Sequence, residues 1–163
     1  MNKKILRSIV GLIILINFRA VSAQPIEEQQ ILPHPQKILA STIMVTSNAD
    51  SGPGTLRQAM SDAVQGDTIL FDPVAFPPAS RDSIILTSGV LPSMTQGNLT
   101  IDASNAGVIL DGKYFSGSNG FTILSDSNCI KGFQIQNFSE GAGIQIENDA
   151  SDNFIGGDSL ASF

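Results

Sequence analysis

Residues 46–60 read Thr-Ser-Asn-Ala-Asp-Ser-Gly-Pro-Gly-Thr-Leu-Arg-Gln-Ala-Met, and this stretch determines how the fold begins. It continues a β-rich segment at residues 42–46, which predicts a strand. The Gly and Pro residues at 50–54 predict a turn. Thr55, followed three residues later by Gln58, forms a capping-box pattern in which each side chain can accept a hydrogen bond from the other residue's backbone N–H. The predicted order is therefore strand, turn and capped helix.

One apolar stripe follows the predicted cap and supports the helix. Gly66 suits the position just after a helix end, so the helix is expected over residues 56–65. So short a helix needs to pack its stripe on another element. The stripe has the i, i+3, i+4, i+7, i+8 spacing of one helix face, and its members are Leu56, Ala59, Met60, Ala63 and Val64.

Short apolar segments recur through the rest of the chain. Residues 99–102 resemble residues 121–124, a shift of 22, and these resemble residues 144–147, a shift of 23. Residues 108–112 and 130–133 are also 22 apart. A repeat of this length, built from several short strands, is typical of one coil of a parallel β-helix. The L-x-x-L-x-L pattern of a leucine-rich repeat is absent, which disfavours that alternative.

The sequence therefore predicts an all-β fold, a parallel β-helix of about four coils with one short N-terminal capping α-helix. Two further strands are expected at residues 68–71 and 83–87. A solenoid core is open at both ends and needs caps, and the helix supplies one of them. No comparable segment follows residue 157, so we expect a C-terminally incomplete solenoid in a truncated chain.

Residues 1–23 have the three parts of a secretory signal peptide. Lys3 and Lys4 contribute to a basic start, residues 9–16 form an apolar run of eight, and residues 21–23 form a small-residue cleavage site. The apolar run is too short to span a membrane. We expect cleavage after residue 23 and a secreted or cell-surface protein, with no transmembrane span in the mature chain. The alternative is an uncleaved anchor.

The expected domain plan has three parts. A signal peptide covers residues 1–23, a flexible leader 24–41, and the cap and coils 42–163.

The whole chain has 9 basic and 15 acidic residues, and cleavage removes four basic residues and no acidic one, which leaves a net charge of −10. Such a surface repels nucleic acid and anionic lipid. It also disfavours acidic polysaccharides, unless a local basic groove or a bridging cation compensates.

Two rare residue types limit the possible chemistry. Cys129 is the only cysteine, so the chain has no internal disulfide, and we expect the thiol to be buried as a small hydrophobe. His34 is the only histidine and lies between two prolines of the leader. The folded part therefore lacks Ser/His/Asp and Cys/His arrangements, and it has neither a phosphate-binding loop nor zinc-ligand spacing. We expect no cofactor and no metal.

Four residues near the repeat strands are candidate ligand contacts. Asp102 and Asp111 end successive strands, where Asp side chains usually accept hydrogen bonds from nearby backbone N–H groups in turns. A glycoside hydrolase would instead place two carboxylates side by side. Lys113 and Tyr114 lie in a loop that is either a small sugar-stacking patch or a turn packed on a neighbouring coil. No residue is assigned a catalytic role.

Residues 45–71 closely resemble the N-terminal cap of secreted bacterial β-helix proteins of the pectate-lyase-like superfamily. The family patterns D-S-G-P-G-[ST]-L-R-Q-A-[IM] and G-D-x-I-x-F are present at residues 50–60 and 66–71. The resemblance extends more loosely over residues 42–157. It implies a right-handed parallel β-helix and a surface or secreted protein with an adhesin-like role. It assigns structural roles to the cap residues, namely Thr55, Gln58, Leu56, Ala59, Met60, Ala63 and Gly66.

The resulting expectation is a non-catalytic, secreted or cell-surface β-helix segment with a structural, adhesive or carbohydrate-contacting role. Its expected partners are a polysaccharide or another surface protein, and not nucleic acid. One alternative is the N-terminal part of a polysaccharide lyase or glycoside hydrolase whose active site lies in further coils. A second is a β-helix fragment without an independent function.

Overall fold

Short strands with alternating apolar residues, separated by Gly- and Asn-containing turns, make up most of the folded chain. The computed structural model describes residues 39–156. In chain order the elements are β1 (Thr42–Val45), α1 (Leu56–Asp62), β2 (Thr68–Phe71), β3 (Asp82–Ile85), β4 (Thr100–Asp102), β5 (Val108–Asp111), β6 (Phe121–Ile123), β7 (Cys129–Lys131), β8 (Phe133–Gln136), β9 (Ile144–Ile146) and β10 (Phe154–Gly156).

The strands form three parallel sheets. Sheet 1 has the order β1-β2-β4-β7-β10, sheet 2 the order β3-β5-β8, and sheet 3 pairs β6 with β9. A single bridge from Met94 to Ile123 adds a further level to sheet 3. The chain passes through the three sheets in turn and then returns to sheet 1 one level further on. The predicted parallel β-solenoid of about four turns is therefore confirmed.

The core lies between the three sheets and is built from residues stacked in register. In sheet 1 an isoleucine occupies the same inward position on every level. Ile69 and Ile101, on inner levels, are fully buried. Burying one such side chain contributes about 2–3 kcal/mol, so the column is a main source of stability. Its members are Ile43, Ile69, Ile101, Ile130 and Ile155.

Helix α1 takes the place that strands of sheets 2 and 3 occupy in later turns, between β1 and β2. Its buried residues are Leu56, Ala59 and Met60, and it packs on β1. The side-chain amide of Gln96 donates hydrogen bonds to the carbonyl oxygens of Met60 and Ala63 at 3.4 and 3.2 Å. These bonds satisfy acceptors that a helix C-terminus leaves open. The single helix is therefore the predicted N-terminal cap.

The helix ends earlier than its apolar pattern predicts. Its C-cap is Ala63, whose backbone is extended (φ −63°, ψ 139°). Val64 is consequently 42% exposed and is no part of the buried stripe. The cause lies in Asp67, whose carboxylate accepts the Val64 N–H, while the Asp67 N–H donates to the Val64 carbonyl. Gly66 does have a left-handed φ of 89°, but it serves this turn into β2 rather than the helix end.

The predicted alignment of the repeats is partly wrong. Thr100 in β4 lies opposite Cys129, and not opposite residues 121–124, which belong to sheet 3. Val108 lies opposite Phe133 rather than Ile130. The match of β6 with β9 is correct. Each turn contains three strands of similar sequence, joined by connections of unequal length. Two strands of the same turn can therefore look as similar as two strands that stack in successive turns, and sequence similarity alone does not tell them apart.

Gly132 explains one of these errors. The sequence predicts a single strand at residues 130–133, but the chain turns at Gly132 from β7 in sheet 1 to β8 in sheet 2. Its φ is 80°, and a Cβ atom there would lie 2.3 Å from the carbonyl carbon of Ala103. Only glycine allows both the left-handed backbone and this close approach. The corner between the two sheets therefore depends on it.

Several sequence-based predictions lie outside the described residues. They are the signal peptide at 1–23, nearly all of the leader at 24–41, and the segment after residue 156. Within residues 39–156, no helix has the length and apolar character that crossing a membrane requires.

Candidate functional site

The turn before α1 is organised around a buried ion pair. Asp50 Oδ1 accepts a hydrogen bond from the Arg57 guanidinium at 2.5 Å, and Asp50 Oδ2 accepts the N–H groups of Thr87 and Ser88. Burial acts to raise the pKa of Asp50, but the hydrogen bonds from these three residues outweigh it and lower the pKa to about 2. This carboxylate is ionised and fully engaged, so its role is structural.

Arg57 extends the same network to the loop after β3. Its guanidinium also donates to the carbonyl oxygens of Gly89 and Val90. A planar guanidinium presents five N–H donors in a fixed geometry, whereas a lysine ammonium has three on a flexible stem. Arg57 therefore joins the first turn, the helix and the following level of the solenoid.

Asp102 lies on the outer face of sheet 1, at the end of β4. One oxygen accepts the Ser104 N–H at 2.9 Å, and the other lies 3.0 Å from Lys131 Nζ on the next level. Burial acts to raise the pKa of Asp102, but the hydrogen bonds of Ser104 and the charge of Lys131 lower it. The residue therefore forms a turn and a cross-level ion pair.

Asp111 ends β5 in sheet 2 and is buried. Its oxygens accept hydrogen bonds from the Lys113 N–H and from the side-chain amides of Gln136 and Asn137. Burial acts to raise the pKa of Asp111, but these hydrogen bonds outweigh it and lower the pKa. Asp102 and Asp111 thus belong to different sheets, and each is engaged in its own turn. The structure does not bring them together as a catalytic pair.

Lys113 and Tyr114 lie in the exposed turn after β5. Tyr114 is 65% exposed, and Lys113 Nζ lies 5.2 Å from the centroid of its ring. This is a cation–π contact, worth about 0.5–1 kcal/mol at an exposed site. The ammonium already covers one face of the ring, so only the other face is open for stacking.

Cys129 is half-buried in β7 rather than fully buried as expected. Burial raises the pKa of its thiol, with Lys131 acting in the opposite direction and Asp102 in the same one. A thiol with a raised pKa stays protonated near neutrality and is a poor nucleophile. Its position is consistent with packing rather than reactivity.

A cleft of about 330 Å³ with a mixed polar and apolar lining lies where the turns of sheets 1 and 2 meet, and sequence reasoning did not identify it. Arg81 and Gln134 line it, with the Arg81 guanidinium donating to Gln134 Oε1 at 2.9 Å. Ser104 and Pro78 line other parts of it, while the ring of Phe133 packs edge-on against Phe71 and Phe121 in the core. We call this the Arg81–Gln134 cleft. Its N–H donors suit ligands rich in oxygen acceptors.

The cleft owes its shape to close backbone packing. A Cβ atom on Gly107 would lie 2.6 Å from the Pro77 carbonyl oxygen and 2.9 Å from Arg81 Cα. Arg81 itself has a left-handed φ of 53°. These features place the guanidinium beside Gln134, which is 53 residues later in the chain. The only sequence signal was an isolated basic residue in a loop, which does not reveal its partner.

The described residues include no group of three or more His, Cys, Asp or Glu side chains that could hold a metal ion. No family model matches the chain, and no similar protein was found among curated proteins or solved structures.

Proposed function

We propose that this chain is a secreted or cell-surface β-helix segment with a non-catalytic, structural or adhesive role, which contacts carbohydrate through the Arg81–Gln134 cleft. The supporting observation is the state of its carboxylates. Glycoside hydrolysis needs a carboxylic acid whose pKa is raised so that it can donate a proton. Every carboxylate with a shifted pKa among the described residues has it lowered, by hydrogen bonds that hold turns together: Asp50, Asp67, Asp102 and Asp111.

The proposed setting and family rest on the sequence. The basic start, apolar run and cleavage site at residues 1–23 support secretion. The cap motif at residues 50–60 supports membership of the pectate-lyase-like superfamily. The solenoid fold agrees with that family, but proteins of many functions share it. The fold alone therefore does not identify an activity.

The cleft supports the carbohydrate-contacting part of the proposal. Arg81 and the Gln134 amide supply donors for sugar hydroxyl and ring oxygens, and Pro78 and Ala106 supply some apolar surface. An open cleft with few polar groups predicts weak binding that becomes useful only when several such contacts act together.

The test is to add the purified chain to a panel of neutral and acidic polysaccharides and to measure binding by calorimetry and turnover by product release. We expect binding without turnover. Arg81→Gln should weaken binding about tenfold, the loss of one charge-assisted contact. Asp62→Asn is the control, because it also removes one exposed charge but lies outside the cleft. Turnover would refute the non-catalytic role, and equal effects of the two substitutions would refute the cleft.

A further inference from the structure

A row of polar side chains on the outer face of sheet 2 leads from the Arg81–Gln134 cleft to Asp111. Gln134 and Gln136 alternate along β8 with Ile135, which packs against the core. Because alternate residues of a strand face the same side, both glutamines lie on the outer face. Gln136 pairs with Asp111 of β5 on the preceding level. The row therefore begins at the cleft and ends at a buried carboxylate.

Hydrogen bonds connect this row from one end to the other. The Arg81 guanidinium donates to Gln134 Oε1 at 2.9 Å, and Gln134 Nε2 donates to Gln136 Oε1 at 3.0 Å. Gln136 Nε2 in turn donates to Asp111 Oδ2 at 3.2 Å. We call the three side chains of Gln134, Gln136 and Asp111 the amide relay.

The chemistry of the two ends allows each amide only one orientation. A guanidinium is only a donor, so the oxygen of Gln134 has to face Arg81. Although burial acts to raise it, the pKa of Asp111 is lowered by hydrogen bonds, so this carboxylate is ionised near neutrality. An ionised carboxylate is only an acceptor, so the nitrogen of Gln136 has to face Asp111. The remaining nitrogen of Gln134 and oxygen of Gln136 then match each other as donor and acceptor.

The amide relay holds a side chain that packing leaves free. Arg81 is exposed, and only its backbone is fixed, by its N–H bond to the Pro77 carbonyl and by the close approach of its Cα to Gly107. Within residues 39–156, Gln134 is the one hydrogen-bond partner of the guanidinium. A long side chain without such a partner has to be ordered when a ligand binds, which lowers the affinity.

We propose that the amide relay positions the Arg81 guanidinium for ligand binding, with Asp111 as its fixed end and Gln136 as the link. The bond to Gln134 uses one guanidinium nitrogen, so other N–H groups of Arg81 remain available to acceptor oxygens of a ligand. Gln136 and Asp111 are thus positioning residues, which act through Gln134. The effect on affinity rests on the carbohydrate contact proposed for the cleft, whereas the relay itself does not.

Gln136→Met tests the relay without a ligand. Methionine has a similar length but no amide, so it breaks both bonds in the middle of the relay. We expect the guanidinium signals of Arg81 in the NMR spectrum of the isotope-labelled chain to move towards those of an unrestrained arginine. Gln145→Met is the matched control, because Gln145 is also a half-buried strand residue with a hydrogen-bonded amide, but in sheet 3. Unchanged Arg81 signals in Gln136→Met, or equal shifts in both variants, would overturn the proposal.

Calorimetry measures the effect of the relay on binding, with hydroxyethyl cellulose and carboxymethyl cellulose as a neutral and an acidic soluble probe. Gln136→Met should weaken binding about threefold, because the ligand then has to order the guanidinium. The same change made together with Arg81→Gln should have no further effect, because the group that the relay positions is gone. A further threefold loss in that double variant would contradict positioning. If Arg81→Gln alone leaves the affinity unchanged, the function proposed for the cleft is wrong, and the NMR comparison still decides whether the relay exists.

Discussion

At the scale of single residues, the ion pair of Asp50 and Arg57 joins three parts of the chain that the sequence separates. The carboxylate bonds to the loop at Thr87 and Ser88, and the guanidinium bonds to the carbonyls after it. Both side chains are largely withdrawn from solvent, at 5% and 19% exposure. A buried charge that loses its partner is destabilising, so each residue depends on the other.

Asp50→Asn should lower the free energy of unfolding, and the loss should depend on pH. The folded pKa of about 2 is below the ordinary 3.8, so the ionised carboxylate stabilises the fold above pH 3.8. The shift corresponds to about 2 kcal/mol at pH 7 and about half of that at pH 3, since the contribution is lost as pH falls through the folded pKa. Urea denaturation at both pH values measures it. Asp62→Asn, at the exposed end of α1, is the control and should cost less than about 0.5 kcal/mol. A loss for Asp50→Asn that is independent of pH would contradict the assignment.

At the scale of elements, the cap helix forms half of the predicted capping box. The Thr55 hydroxyl accepts the Gln58 N–H at 3.2 Å and donates to the Gly52 carbonyl at 2.8 Å. The Gln58 side chain, however, donates to Asp62 one turn along the helix and does not accept the Thr55 N–H. The N-terminal cap therefore depends on one side chain, and the other forms a surface contact.

Thr55→Ala should destabilise the protein by about 1 kcal/mol, the usual cost of removing an N-cap side chain. Gln58→Ala should cost less than about 0.5 kcal/mol, because its side chain is exposed and bonds only within the helix surface. Urea midpoints of the two variants provide the comparison. Equal losses would mean that the reciprocal capping box exists in solution.

At the scale of the whole molecule, stability is distributed along the solenoid axis. Each level contacts mainly the levels before and after it. The free energy of unfolding is therefore nearly the sum of a contribution from each level and one from each interface between neighbouring levels. The N-terminal end is covered by α1, and the inner levels of the isoleucine column are buried. On the last described level Ile155 is 42% exposed, and strands with few buried contacts open most easily.

Two substitutions in the same column test this gradient. Ile101→Ala should cost about 3 kcal/mol, the transfer and cavity terms of a fully buried site. Ile155→Ala should cost less than about 1 kcal/mol, because the side chain is already partly in water. Thermal and urea denaturation measure both. Similar losses at the two positions would mean that the last level is as well packed as the middle of the solenoid.

The sequence by itself determined the β-solenoid class, the position of the capping helix and most strand positions. These features follow from local patterns: alternating apolar residues in strands, the stripe of α1, and turn residues such as those at 50–54. Local patterns act within one strand or helix turn, so they can be read from a single sequence.

Only the tertiary structure decided which strands stack. Thr100 lies opposite Cys129 and Val108 opposite Phe133, because register depends on the length and path of each connection and not on strand composition. The Arg81–Gln134 pair and the bonds of Arg57 to the carbonyl oxygens of Gly89 and Val90 were settled in the same way. Each depends on groups far apart in the chain, whose meeting is set by the packing of the whole solenoid.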